Sequence, residues 1–346
     1  KNFVYAVTAV KEVGGYLRES KPSNISNPAQ VVSENELKKH LGLEEHWEYE
    51  SFSDSYGAGY GELYEGNFVY MAVDSQINGA SLAMVMRRSY NSHSDNVASF
   101  GKGWDFSFNT ALLREYKRDE VSGELTERAM LLKDGDGSIH RFELTEEGYT
   151  AEAGSDIKLF CENGLYRAER TDGIKYVFNE SNRIAEMNTK AGDKLIFTYD
   201  PQRGNLIKVT NTSGESMSFS YANDLITKLT LPNGHEINYT YDSKGRLISK
   251  SESVSDYEIS TDSFSAGIAQ AQSYGYNTGG RINKITTPSG TASTATVNIS
   301  YTDDGKLSSV LLPENMSLSF EYLAKDVLGN TGARVSLKIA ATVFAE

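Results

Sequence analysis

Tyr239-Thr240-Tyr241-Asp242-Ser243-Lys244-Gly245-Arg246-Leu247 holds the end of one strand, a reversal and the start of another. Tyr239 and Tyr241 are two residues apart, the spacing that puts both rings on one face of a β-strand. Asp242 can hydrogen-bond the backbone that follows it, and Gly245 can take the positive φ of a tight turn. Leu247 opens the returning strand. One such hairpin buries little by itself, so it is stable only where it recurs and stacks on copies.

It does recur. Phe178, Tyr199, Tyr221, Tyr241, Tyr276, Tyr301 and Tyr322 anchor successive units at intervals of 21, 22, 20, 35, 25 and 21 residues. Two positions before each anchor lies another large side chain: Tyr176, Phe197, Phe219, Tyr239, Tyr274, Ile299 and Phe320. Four positions before, most units add a third apolar residue: Ile174, Leu195, Met217, Ile237, Val297 and Leu318. The return strands carry pairs three apart: Ile184/Met187, Leu206/Val209, Ile226/Leu229, Ile282/Ile285 and Leu307/Val310. Eight residues past the first member comes a turn former, Gly192, Gly214, Gly234, Gly290 or Asn315. In an ideal strand an i,i+3 pair faces opposite sides, so either a bulge intervenes or both faces are covered. These spacings predict an all-β chain of antiparallel hairpins that bury an aromatic face only by stacking.

Composition agrees. The chain has 21 Tyr against 2 Trp, with 30 Gly and only 6 Pro, which suits strands and tight turns. No apolar run approaches the ~18 residues that would span a membrane, so membrane insertion is not expected. Lys plus Arg number 34 and Asp plus Glu 47, giving a net charge of −13, which argues against nucleic acid as a partner. A single cysteine, Cys161, excludes an internal disulfide framework. Lys1 to Val10 lacks the regions of a signal peptide, so the chain is expected to be an internal part of something longer.

Around the repeats the chain divides as follows. In residues 1–32, Phe3, Tyr5 and Val7 alternate and Gly14-Gly15 turns the chain, a pattern that resembles the last hairpin of a fibronectin type III domain. Residues 33–66 read as a short capped helix from Ser33 to Leu41, then a Gly-rich extended connector from Trp47. Residues 67–172 read as a β-rich module with turns at Asn78-Gly79, Ser122-Gly123, Asp134 to Gly137 and Glu147-Gly148. The array fills 173–346, broken by a polar insertion at about 251–272.

Tyr241-Asp242-x-x-Gly245-Arg246-Leu247 resembles the YD repeat of Rhs proteins, as do Tyr199-Asp200, Tyr276-Asn277 and Tyr301-Thr302-Asp303. Arg88 to Ser92, Phe100-Gly101-Lys102-Gly103-Trp104-Asp105-Phe106, Asp134 to Gly137 and Thr171-Asp172-Gly173 resemble the module that precedes those repeats. Leu41-Gly42-Leu43-Glu44 with Trp47 resembles wall-associated Rhs proteins of Gram-positive bacteria. The resemblance covers roughly Leu41 to Tyr322. It implies part of a spiralling β-shell from an exported polymorphic toxin, the shell enclosing a C-terminal toxin domain carried on the same longer polypeptide. Related repeats occur in insecticidal toxin complexes and in the teneurin receptors of animals. The family's self-cleaving Asp residues lie in an Asp-Pro-x-Gly setting, whereas the sole Asp-Pro here, Asp200-Pro201, sits inside a repeat, so self-cleavage is not carried over.

No catalytic, cofactor or metal site is expected, and no cofactor. Asp134-Gly135-Asp136-Gly137 lacks a calcium loop's twelfth-position Glu, since Thr145 stands there, and reads as a hairpin turn. Gly57-Ala58-Gly59-Tyr60-Gly61 has no strand–helix context for phosphate and reads as a flexible linker. His40, His46, His93, His140 and His235 are scattered singly, and Cys161 reads as a buried small hydrophobe. The expected function is a secreted or wall-associated encapsulating scaffold, not an enzyme. The alternative is a cell-surface adhesin whose exposed aromatics bind a glycan or protein.

Overall fold

The computed structural model describes residues 41–44, 47–118, 125–252, 271–289, 293–323 and 333–339, together with Lys39 and four short strands near the N-terminus. Those four are β1 (Asn2–Phe3), β2 (Val10–Val13), β3 (Tyr16–Glu19) and β4 (Ala29–Gln30), paired β1 with β4 and β2 with β3. The predicted helix over Ser33–Leu41 falls largely on residues outside the described ones, as do Tyr5, Val7 and Gly14-Gly15.

Alternation of large and polar residues becomes one sixteen-stranded antiparallel sheet, β16 to β31, in which every strand pairs with its neighbours in sequence. It begins with β16 (Ile157–Glu162) and β17 (Leu165–Arg170). The repeat hairpins follow: β18–β19 (Lys175–Phe178, Ile184–Asn188), β20–β21 (Lys194–Tyr199, Leu206–Asn211) and β22–β23 (Ser216–Ala222, Leu225–Thr230). Next come β24–β25 (Glu236–Tyr241, Leu247–Glu252), β26–β27 (Ala271–Tyr276, Ile282–Ser289) and β28–β29 (Ser293–Tyr301, Leu307–Leu311). The last pair is β30 (Met316–Tyr322) and β31 (Ala333–Ile339).

The register answers the i,i+3 question. Tyr199 pairs with Leu206 and Phe197 with Val209, and the ladder shifts by one residue between Thr198 and Tyr199. The same bulge recurs beside Phe178, Tyr221, Tyr241, Tyr276 and Tyr301. Each bulge adds one residue to the return strand, which brings both members of the i,i+3 pair to the aromatic face. Leu206, Val209, Ile226, Leu229, Ile282, Ile285, Leu307 and Val310 are accordingly buried. Asp242 holds its turn as the sequence implied: its carboxylate accepts from Lys244 and Arg246 N–H at 2.9 and 3.0 Å, and Gly245 has φ +73°.

A five-stranded sheet covers that aromatic face. It comprises β5 (Tyr49–Ser53), β6 (Gly57–Glu62), β7 (Phe68–Ile77) and β8 (Met84–Asn91), closed by β11 (Trp104–Phe106). The short ribbon β9 (Val97–Ala98) and β10 (Gly101–Lys102) lies between β8 and β11 in sequence. A four-stranded sheet follows, β12 (Ala111–Arg118), β13 (Leu125–Lys133), β14 (Ile139–Thr145) and β15 (Gly148–Ala151). Phe68, Tyr70, Met84, Trp104, Phe106 and Phe142 join the repeat side chains in one continuous apolar core. No helix among the described residues is long and apolar enough to cross a membrane.

Three readings change. Residues 47–66 are a paired hairpin rather than an extended connector, and Gly57 to Gly61 is strand β6 rather than a linker. Its glycines answer to crowding: a Cβ on Gly59 would sit 2.3 Å from the Phe52 ring, and one on Gly61 2.6 Å from Leu307 and Phe320. The polar insertion is shorter than 251–272, because Ser251 pairs with Ala271 and Lys250 with Gln272; residues 253–270 lie outside the described ones.

Candidate functional site

A repeat bulge leaves the first return residue's backbone N–H and C=O outside the ladder, and buried backbone groups need partners. Five of the six carbonyls are satisfied by the next repeat. Tyr199 donates to Ile184 O at 2.7 Å, Tyr221 to Leu206 O at 2.8 Å, Tyr241 to Ile226 O at 2.6 Å, Tyr276 to Leu247 O at 2.6 Å and Tyr301 to Ile282 O at 2.8 Å. This ladder explains why the anchor is Tyr and not Phe, and why the first anchor, with no bulged hairpin before it, is Phe178. Burial pushes these hydroxyls above the ordinary tyrosine value, which keeps each an O–H donor. The half-buried rings are thus committed to the wall and do not form an open sugar-stacking platform.

The ladder carries a prediction. Tyr241→Phe leaves the Ile226 carbonyl unpaired and is expected to cost about 1–2 kcal/mol in urea unfolding. Tyr322 has a buried hydroxyl without a hydrogen bond, so Tyr322→Phe is expected to be neutral or slightly stabilising. Equal losses from the two would sink the ladder as a source of stability.

Four of the six freed N–H groups are taken by the covering segment, three of them by its loops. Ile184 N–H donates to Thr110 O, Ile226 to Ser99 O, Ile282 to the Tyr90 hydroxyl and Leu307 to Gly66 O, at 2.8 to 3.2 Å. The two motifs that stood out separately in sequence meet here. Gly101 of Phe100-Gly101-Lys102-Gly103-Trp104 lies so close to the Tyr241–Leu247 turn that a Cβ on it would sit 2.3 Å from Gly245 O. Trp104 Nε1 donates to the Tyr276 hydroxyl at 3.1 Å, and Arg246 stacks on the Tyr276 ring at 4.7 Å.

At the centre of this seam is Arg88, fully buried. Its guanidinium grips Asp74 through Nε at 2.5 Å and Nη2 at 2.8 Å, and donates through Nη1 to the Tyr274 hydroxyl at 2.9 Å and through Nη2 to Gln272 Oε1 at 3.3 Å. Tyr239 donates to Asp74 at 2.7 Å, and Gln272 donates to the Tyr70 hydroxyl at 2.7 Å. The rings of Trp104, Tyr239 and Tyr274 lie 5.1 to 5.6 Å from the guanidinium carbon. Sequence reasoning missed this cluster, although a signal existed. Gln272 is the polar exception four residues before an anchor, and Lys250 the polar exception three residues after Leu247. Both are buried and face each other across β25 and β26. Chemically the cluster is a clamp: every strong donor has an acceptor, and no group is left to attack a substrate.

A cleft of about 570 Å³ opens between β14, the 152–156 loop and the first repeats. Asp134, His140, Asp156 and Arg170 line it over Phe108 and Tyr176. The Asp134–Gly137 stretch is a hairpin turn, as read, closed by Gly137 N–H to Asp134 O. Among the described residues no three His, Cys, Asp or Glu side chains come together as a metal-binding group. Cys161 is exposed rather than buried, because its strand outruns the cover: it shares a face with Ile157 and Leu159 but lies next to the turn.

Two histidines give the seam opposite responses to pH. Burial pushes His93 below its ordinary value of 6.5; the Gly305 backbone and Glu65 oppose this, and Arg281 and Lys39 reinforce it. Its contribution to stability is therefore lost as pH falls through 6.5, when the unfolded chain takes up the proton first. His140 is pushed up: burial lowers it, but the Asp134 hydrogen bond and charge, with Asp156 and Asp136, outweigh that. Its contribution is complete below 6.5 and lost as pH rises through the raised value. Thermal melts across about pH 5–8 are expected to show His93→Gln losing less stability on acidification than the parent, and His140→Gln gaining less. Parallel curves for all three proteins would refute both assignments.

Residues 214–327 match the family model described as Teneurin YD-shell, and residues 62–142 match a domain of unknown function (DUF6531). The first match falls within the repeat array and the second within the strands that precede it, so each region is similar to a separately described domain. A search of curated proteins gives no match. Among solved structures, TcdB2-TccC3-Cdc42 aligns at 10% identity and TM-score 0.29, covering 78% of this chain and 19% of that one. The Tc holotoxin pore of Photorhabdus luminescens aligns at 12% identity and TM-score 0.27, covering 93% and 18%. A porin-like protein from Bacteroides uniformis aligns at 10% identity and TM-score 0.23, covering 70% and 98%. The chain spans about a fifth of the length of the first two.

Proposed function

We propose that this chain is a wall segment of a shell in an exported polymorphic toxin of the Rhs type, wall-associated in a Gram-positive bacterium. The shell sequesters a toxin domain carried further along the same polypeptide. Strands β5 to β15 act as a leading clamp, and strands β16 to β31 form the wall. The observation that carries this reading is the sixteen-stranded sheet running in strict sequence order, one face sealed by the clamp, with residues 214–327 of it similar to a YD-shell. Such a wall works sterically and needs no catalytic residue. The adhesin reading draws no support from the tyrosines, whose rings and hydroxyls are used inside the wall.

Limited proteolysis of the full-length polypeptide tests this. Encapsulation predicts a C-terminal region that resists protease while the shell is folded and is digested once denaturant opens it. A C-terminal region digested at the same rate in both states would overturn the reading.

A further inference from the structure

The sheet's other face points away from the clamp and is two different surfaces. Across β21–β30 the mid-strand outward positions are mostly Lys, Ser, Thr and Asn, such as Lys208, Ser218, Lys228, Asn238, Thr286 and Ser300. Leu311 is the only exposed large hydrophobic residue among the described residues of those strands. Across β16–β20 the same face carries Phe160, Leu165 and Ile196, exposed by 38%, 50% and 48%, with Val177 half-buried.

Register lines these side chains up. Phe160 pairs with Arg167, Arg167 with Val177, Val177 with Glu186 and Glu186 with Ile196. At about 4.8 Å per strand, Phe160, Val177 and Ile196 stand ~10 Å apart in a row ~19 Å long. Arg167, whose guanidinium lies 5.1 Å from the Phe160 ring, and Glu186 alternate with them. Phe160 and Ile196 nonetheless stay open to solvent on a face that is elsewhere mostly hydrophilic, and clustered exposed apolar groups of this kind mark contact sites.

Charge indicates what the row contacts. The outward positions of β16–β21 hold five cations, Lys158, Arg167, Lys175, Lys194 and Lys208, against the carboxylates Glu162, Glu169 and Glu186. Glu169 is held by Arg167 and Lys175 at 3.0 and 2.9 Å, and Glu186 by Lys194 at 3.1 Å. Lys158 and Lys208 make no ion pair among the described residues and flank the row. A chain of net charge −13 thus presents a locally basic, apolar strip.

We propose that this strip holds an acidic, amphipathic segment of the enclosed polypeptide, an inference that rests on the encapsulation reading. Apolar side chains of that segment cover Phe160, Val177 and Ile196, and its carboxylates face Lys158 and Lys208. The contact gives the cargo a fixed berth on a wall whose other described outward positions are mostly polar.

Photo-crosslinking in the full-length polypeptide tests it, with benzoylphenylalanine replacing Ile196 or, further along the same face, Thr240. The expected result is adducts from position 196 concentrated in one acidic, apolar segment of the C-terminal region. Lys158→Glu with Lys208→Glu should then lower their yield about fivefold by like-charge repulsion. Adducts to that region from position 240 but not from 196 would overturn the berth and leave encapsulation standing. Adducts from 196 to other repeats would make the row a seam between turns of the shell, which also overturns it. If neither position reaches the C-terminal region while proteolysis also finds it unprotected, encapsulation itself fails.

Discussion

Asp74→Ala is expected to destabilise the protein by about 3–5 kcal/mol, because it strands the Arg88 charge inside the seam. The Arg88 and Asp74 side chains are 0% and 2% exposed, so water cannot replace the lost carboxylate without opening the interface. Tyr239 loses its acceptor in the same step. Urea unfolding followed by far-UV circular dichroism measures the loss. Asp74→Leu combined with Arg88→Met removes both charges and should recover much of it, since a buried pair is often worth no more than well-packed apolar groups. A single mutant within about 1 kcal/mol of the parent, or a double mutant worse than the single, would show that the pair does not hold the clamp to the wall.

That cluster also marks where the sequence stops being legible. The repeat arithmetic reads out strand order, turn position and the buried face, because each comes from local period-two spacing and local turn chemistry. Bulge placement was open, since i,i+3 spacing fits two geometries; only the pairing of Tyr199 with Leu206 distinguishes them. Contacts between distant segments were not legible. Nothing near Gly57 to Gly61 says that Phe52, Leu307 and Phe320 will press on those glycines, so the stretch reads as a linker until the partners are in place. Nothing near Asp74 names Tyr239, which lies 165 residues away. Lys250 and Gln272 were legible only as gaps in an apolar pattern. A gap shows that something polar must be met there, without showing what meets it.

Gly101→Ala is expected to cost about 2–6 kcal/mol, from two sources that can be separated. Gly101 has φ +91°, which an L-residue adopts at about 1–3 kcal/mol. The new Cβ would also lie 2.3 Å from Gly245 O, a backbone atom that cannot swing aside, and overpacking of that kind adds about 1–3 kcal/mol. Gly214→Ala provides the comparison, because Gly214 has φ +86° and no atom within 4 Å of its would-be Cβ. The excess loss in Gly101→Ala over Gly214→Ala therefore reports the backbone contact alone. Hydrogen exchange should place that excess at the Tyr241–Leu247 hairpin and at the Ile226 amide, which donates to Ser99 just ahead of Gly101. Equal losses in the two variants would mean that the leading motif and the repeat turn are neighbours without being coupled. A larger loss confined to the seam would mean that the Phe100–Trp104 motif carries glycine so that two backbones can touch.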